Sequence, residues 1–360
     1  MKEYKTEIIK IDESLISDKN IDSLKQHPAL EKAAELLQKG ELVAFPTETV
    51  YGLGADATRL EAIKKIYQAK GRPQDNPLIV HIADLQELDK LVKGDLNLPA
   101  EKLIKAFWPG PLTIVVDKKE PIPAATTAGL DSVAIRMPAH PLTRAIIEKT
   151  GLPIAAPSAN KSGAPSPTRA AHVYADLQGR LPLILDGGPA RVGLESTVVD
   201  VRKERVRILR PGGVSREEIR EVIGDYLYEA QGADEGLENS STVERPLSPG
   251  MKYRHYSPQT PLYIIEDEDF LEGLLHSNLQ ENTALVLSDE WASKYQSSLK
   301  GIKVINMGPR KRPDLIAAGI FQLLRYLDTL SLDRAYIEAI PENGIGEAIM
   351  NRIRKASSRE

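Results

Sequence analysis

The chain has 360 residues, enough for two domains, and its 41% hydrophobic and 27% charged residues are a globular rather than a disordered balance. A net charge of −4 provides no overall basic surplus to draw it onto nucleic acid or an acidic membrane, and the absence of cysteine excludes disulfides, thiolate metal sites and a cysteine nucleophile together. No two of the six histidines stand at zinc-ligand spacing, no signal-peptide-like stretch opens the chain and no run of 18 apolar residues occurs, so a soluble, cytoplasmic protein with no resident metal site is expected.

In chain order, the pattern predicts a helix over 28–39 leading into a strand over 41–45. Further strands are expected at 78–82, 112–116, 133–135, 154–156, 196–201 and 206–209. Helices are expected at 60–69, 100–107, 142–149, 169–175 and 216–223. These make a mixed α/β domain with a large twisted sheet over 1–225. Composition then changes once. The stretch from Asp225 to Glu244 carries six acidic residues against a single cation at Arg245, which reads as a linker within 226–260. Its end is different in kind: Tyr253, Arg254, His255 and Tyr256, braced by Pro258 and Pro261, read as a lid rather than a spacer. Over 261–360, four short strands (LYIIE, ALVLS, KVINM, AYIEAI) each precede a helical stretch, the pattern of a smaller parallel-sheet, Rossmann-like domain. Its clearest helix is expected at 313–330, with Leu315, Ile316, Ile320, Leu323, Leu324 and Leu327 on one face. Gly344-x-Gly346 reads as a helix-opening turn.

Two tempting motifs fail. Gly52-x-Gly54-x-x-Ala57 imitates a dinucleotide fingerprint, but Pro46 closes the preceding strand too early for its glycines to open a helix from a strand end; a tight turn is the expectation. Ser158-x-x-Lys161 and Lys149-Thr150-Gly151 imitate the penicillin-binding serine enzymes in the wrong order.

What remains is a set of polar loops beside the predicted strands. Pro46-Thr-Glu-Thr49-Val-Tyr-Gly-Leu-Gly54 sets hydroxyls beside glycines, suited to a small polar ligand or to capping the next helix. Lys70-Gly-Arg72-Pro-Gln-Asp-Asn76-Pro presents two cations on a stiff loop, which suits a polyphosphate: arginine binds two oxygens at once and lysine acts as a point charge. On sequence alone His81, ending the next strand, is a packed or solvated imidazole. From Ala155 to Thr168 no aromatic or large aliphatic side chain occurs, so backbone N–H groups and hydroxyls can approach an anion or a sugar. Arg136 and Arg210 each follow a predicted strand and precede a proline. The four cations favour a phosphorylated ligand. With no activated nucleophile and no acid–base carboxylate pair, phosphoryl or nucleotidyl transfer fits best.

At these residues the chain resembles the Sua5/YrdC family of threonylcarbamoyl-AMP synthases. The resemblance is carried by PTETVYGLG (46–54), KGRPQDNPLIVHI (70–82), FWPGPLT (107–113), SVAIRMP (132–138), APSAN (156–160), SGAPSPT (162–168), ESTVVD (195–200), RPG (210–212) and HYSP (255–258). It implies a YrdC-like twisted mixed sheet with flanking helices, then the linker and smaller domain of the Sua5 form. It also implies the synthesis of threonylcarbamoyl-AMP and pyrophosphate from L-threonine, bicarbonate and ATP, with Mg²⁺ accompanying ATP. A separate transferase would then modify the tRNA adenosine beside the anticodon. The family's K-x-R…S-x-N tetrad, its implied catalytic set, falls on Lys70, Arg72, Ser158 and Asn160. Thr49, His81, Arg136, Ala156 and Ser196 fall at threonine-side positions. Arg72, Asn76, Ser132, Ser158, Ser166, Arg210 and Tyr256 fall at nucleotide-side positions, with Lys70 beside them. The residues alone place Arg136 on phosphate; the resemblance instead implies the threonine carboxylate and adds Ser132 and Ser196. A reading of another class, an RNA-binding protein using the positive crevice, is opposed by the acidic net charge.

Overall fold

The computed structural model describes residues 3–229, 246–247, 256–277, 279 and 282–357. Most of the expected linker, including Tyr253, Arg254 and His255, lies outside the described residues.

Ten strands form the first sheet: β1 (Glu7–Lys10), β2 (Val43–Phe45), β3 (Gly52–Asp56), β4 (Ile79–His81), β5 (Leu112–Asp117), β6 (Ser132–Arg136), β7 (Ile154–Ala155), β8 (Leu183–Asp186), β9 (Thr197–Asp200) and β10 (Arg207–Arg210). Their order is β1-β8-β2-β3-β7-β4-β6-β5-β9-β10, with parallel and antiparallel neighbours mixed. Three of these strands, β1, β3 and β8, were not expected. The turn expected at Gly52-x-Gly54 is instead β3. It escapes the usual alternation because its glycines make room for an aromatic ring. A Cβ on Gly54 would lie 2.4 Å from a ring carbon of Phe45 and 3.1 Å from Ile154. Glycine lets the neighbouring strands close over Phe45.

One face of this sheet is packed across its middle, leaving Ile8 of the edge strand β1 exposed. Leu53, Val80, Ile114, Ile135 and Val199 point into the main core, where Ile63 and Ile66 of the helix Leu60–Lys70, Leu103 of Leu98–Phe107, Val173 of Ala170–Leu177 and Ile219 of Arg216–Ile223 meet them. On the opposite face, the helices Pro28–Gln38 and Pro141–Thr150 cover the β1-β8-β2 end and reach Ile154 of β7, through Leu30, Leu37, Leu142 and Ile146. Because side chains alternate along a strand, that second face over β4, β6, β5 and β9 carries Ile79, Ala134, Val115 and Val198, a small separate apolar cluster. The polar residues flanking these four in the same alternation are His81, Arg136, Thr113 and Ser196. They form the floor of a cleft.

The second sheet has β11 (Leu262–Ile265), β12 (Thr283–Leu287), β13 (Lys303–Asn306) and β14 (Arg334–Glu338), all parallel, in the order β11-β14-β12-β13. Its long helix is Pro313–Leu327 rather than 313–330. Ile316, Ile320, Leu324 and Leu327 are buried as expected, but Leu315 is 49% exposed. It stands about 100° around the helix from Ile316, outside the buried arc that Phe321 completes. Gly344 and Gly346 do lead into a helix, Gly346–Ala356. Val50 and Leu194 from the first part of the chain join the core built by this helix pair, so the two sheets share packed surface. Among the described residues no helix is long and apolar enough to cross a membrane.

Candidate active site

Pro46 ends β2, and the loop that follows is folded by Thr47. Its Oγ1 accepts from the N–H groups of Thr49 and Val50, both at 3.2 Å, and lies 2.7 Å from the Thr49 hydroxyl. This turn aims Thr49 at Arg136, whose Nη1 donates to it at 2.9 Å. Arg136 Nε also donates to the Gly110 carbonyl at 3.1 Å, and Nη2 to Glu48. His81 is the sheet partner of Arg136. Burial first, and the Arg136 charge second, push its pKa down to about 3, so the imidazole is neutral. Its Nδ1 is buried with no partner among the described residues. Ser196 completes this group, its hydroxyl 2.7 Å from that of Thr113. Ala156 backs it, its N–H donating to the Ile79 carbonyl at 3.0 Å.

A second group adjoins the first. The helix Leu60–Lys70 stops where Gly71 takes a positive φ of 63°, and this turn sends Lys70 inward. Its ammonium donates to the Ser158 carbonyl at 2.5 Å and to the Asn160 carbonyl and side-chain oxygen at 2.7 and 3.4 Å. The expected loop cation is therefore 3% exposed and grips the hydroxyl-rich loop. Burial, then the neighbouring Arg72, hold its pKa well below the usual lysine range. Arg72 donates from Nε and Nη2 to the carbonyls of Asn76 and Pro77 at 3.3 and 3.0 Å; burial brings it down to about 10. Arg210, ending β10, donates from Nη2 to the Ser196 carbonyl at 2.8 Å, which places it between the two groups. Arg72 and Arg136 both act on its charge. Ser166 donates to Glu195 at 2.6 Å. Tyr256 is 5% exposed; its phenol, raised to about 12 chiefly by burial, is within electrostatic reach of Arg72, Arg210 and Glu195.

Lys70, Arg72, Arg136 and Arg210 are thus buried together around the cleft, beside the small apolar cluster of Ile79, Ala134, Val115 and Val198 and loops rich in hydroxyls. Ser132 lies at the far end of β6 from Arg136, on the cleft face but with no side-chain bond described.

The comparisons with known proteins follow the same division of the chain. A family model described as "Telomere recombination" matches residues 35–212, and one described as "Threonylcarbamoyl-AMP synthase, C-terminal domain" matches residues 214–358. A threonylcarbamoyl-AMP synthase of Bacillus subtilis is 46% identical, over 92% of this chain and 93% of that protein. The chain belongs to the Sua5 family of threonylcarbamoyl-AMP synthases. A synthase of Pyrococcus abyssi is 43% identical over 90% of this chain and 93% of its own. The crystal structure of Pyrococcus abyssi Sua5 complexed with L-threonine superposes with a TM-score of 0.82 at 40% identity, covering 98% of this chain and 97% of that one.

Several residues of this Sua5-family cleft went unnoticed in the sequence. Glu48 and Thr113 sat inside recognised blocks but were not singled out. Glu195, too, sits inside a recognised block, ESTVVD, without being singled out. Arg352 lies far along the chain from the polar loops, in a helix whose local pattern gives no sign of its part in the cleft.

Proposed function

We propose that the chain makes threonylcarbamoyl-AMP from L-threonine, bicarbonate and ATP with release of pyrophosphate, for threonylcarbamoyl modification of a tRNA adenosine by a separate transferase. The observation that carries this reading is the meeting of two polar groups in one cleft. One centres on Arg136, Thr49, neutral His81 and Ser196, and fits a small amino acid. The other centres on Lys70, Arg72 and Arg210, and fits a triphosphate. The burial of these cations favours an enclosed small ligand over an RNA backbone, which needs an exposed surface.

In this reading Arg136 meets the threonine carboxylate, with Thr49, His81, Ala156 and Ser196 around the side chain and amine. Asn76, Ser132, Ser158, Ser166 and Tyr256 surround the nucleotide, and Asn160 fixes the loop with Lys70. The threonine amine takes up bicarbonate as a carbamate with loss of water. A carbamate oxygen attacks the α-phosphorus of ATP, and the bond to the β,γ-diphosphate breaks. Lys70, Arg72 and Arg210 neutralise the charge that develops on the leaving pyrophosphate. A water-poor cleft protects the labile carbamate and mixed anhydride. Magnesium would accompany ATP and offset part of the charge on its phosphates. Along the chain, 1–225 would be the catalytic domain, 226–260 the connecting lid and 261–360 the C-terminal domain. The test is pyrophosphate release with threonine and bicarbonate omitted in turn; turnover that does not need threonine would overturn the assignment.

A further inference from the structure

Two carboxylates stand in the wall of this cation-lined cleft, and an arginine pairs with each. Glu48 is matched by Arg136 of β6, from within the same sheet. Glu195 is matched from elsewhere. Arg352, in the helix Gly346–Ala356 that packs on the second sheet, donates from Nε to Glu195 Oε2 at 3.0 Å. Arg352 is 0% exposed and Glu195 7%. Arg352 Nη1 donates to the Pro211 carbonyl at 2.7 Å, next to Arg210, and the Tyr256 ring lies 5.7 Å from its guanidinium. The second Glu195 oxygen accepts from Ser166. Apart from a bond to the side chain of the adjacent Asn351 at 3.2 Å, the described contacts of this buried arginine fall at the nucleotide-side group.

A buried carboxylate that loses its partner keeps its field in a low-dielectric site. Here that field would fall on Arg210, whose charge already acts on Glu195. Burial alone would raise Glu195; Arg352 first, then Arg210 and Ser166, hold it at about 2 instead. Resting on the substrate reading above, we propose that Arg352 is a positioning residue for ATP: by neutralising and holding Glu195 it keeps the positive charge of Arg210 and Arg72 for the phosphates. The C-terminal part of the chain thereby completes a site whose proposed ligand contacts lie in the first 225 residues and at Tyr256.

The experiment compares the full-length chain with Arg352→Met and with Glu195→Gln/Arg352→Met. Affinities for ATP and for L-threonine are measured separately by calorimetry, and the KM for ATP by pyrophosphate release. Arg352→Met is expected to weaken ATP about tenfold or more while threonine affinity stays within about twofold. Removing the carboxylate as well should return ATP affinity to within about threefold of the parent. A role in folding alone would lower both affinities together and would not be rescued. Should Arg352→Met fail to fold, the double variant, which buries no unmatched carboxylate, decides: ATP bound as weakly as expected for the single variant overturns the proposal. Unchanged ATP affinity in a folded Arg352→Met overturns it too. If the parent chain itself binds neither ATP nor threonine, the substrate reading has failed, not the role of Arg352 within it.

Discussion

The Lys70 ammonium donates to the main-chain carbonyl of Asn160 at 2.7 Å, tying a helix end to a loop 90 residues further along. Since the same ammonium also reaches the Ser158 carbonyl, this lysine acts as a clamp on the hydroxyl-rich loop as well as a charge in the cleft. Lys70→Met leaves those carbonyls without their donor, at about 1–3 kcal/mol for each buried group left unsatisfied. Faster amide exchange across 158–162 and a fall in ATP-dependent turnover of about 10²-fold are expected. Unchanged exchange in that loop would show that other contacts hold it.

Arg72 should prove harder to replace than its charge suggests. Two of its nitrogens are fixed on the carbonyls of Asn76 and Pro77, which orients the guanidinium plane. Arg72→Ala is expected to lower turnover by about 10²-fold or more, the scale of a lost transition-state charge contact. Arg72→Lys should recover little, since an ammonium has no fork to match two oxygens. Near-normal kinetics for the alanine variant would reduce Arg72 to a loop brace.

Acid should destabilise the protein through its buried histidines. Folded His81 stays neutral down to about pH 3, and His140 and His172 to about 4, chiefly through burial. An unfolded histidine takes its proton near pH 6.5. Between these values the unfolded state binds more protons, so stability is full above pH 6.5 and is lost as pH falls toward 3 or 4. At pH 5 His81 alone accounts for about 2 kcal/mol, at about 1.4 kcal/mol per pH unit below 6.5. Urea unfolding at pH 8, 6.5 and 5 measures this. In His81→Asn the loss between pH 6.5 and 5 should shrink by about that amount, and an identical loss in both proteins would exclude His81 as a source.

How much of this could be read from the sequence differs residue by residue. Lys70, Arg72 and Asn76 were legible because prolines and a glycine fix them within one short stretch, so local spacing carries the information. The floor strands β4, β5 and β6 were legible from their apolar runs. By contrast β3 was hidden: it signals its buried face by lacking side chains, and the Phe45 ring that fills the space belongs to another strand. Ser196 came only through family resemblance; a lone serine gives no hint that Thr113 and Arg210 will converge on it. The Glu195–Arg352 pair joins residues 157 positions apart, and nothing local to either predicts an ion pair within a core.

Tyr256 provides the sharpest separation of packing from chemistry. Its ring lies 5.1 Å from that of Phe321, and the next residue, Ser257, donates from its N–H to the Gly163 carbonyl of the hydroxyl-rich loop at 3.1 Å. The end of the connecting segment is thus docked on both parts of the chain. Tyr256→Ala would open a cavity against Phe321 and cost about 2–4 kcal/mol of stability, so loss of activity in that variant alone would say little about the reaction. Tyr256→Phe keeps the ring and removes only the hydroxyl that stands among Arg72, Arg210 and Glu195. For a lid acting on the nucleotide, the phenylalanine variant should keep its thermal midpoint within about 2 °C, a shift of under 1 kcal/mol for a chain this long. It should still lose turnover by about tenfold, with threonine affinity intact. If Tyr256→Phe is fully active and only Tyr256→Ala is impaired, the tyrosine serves to dock the segment and the hydroxyl has no part in the chemistry.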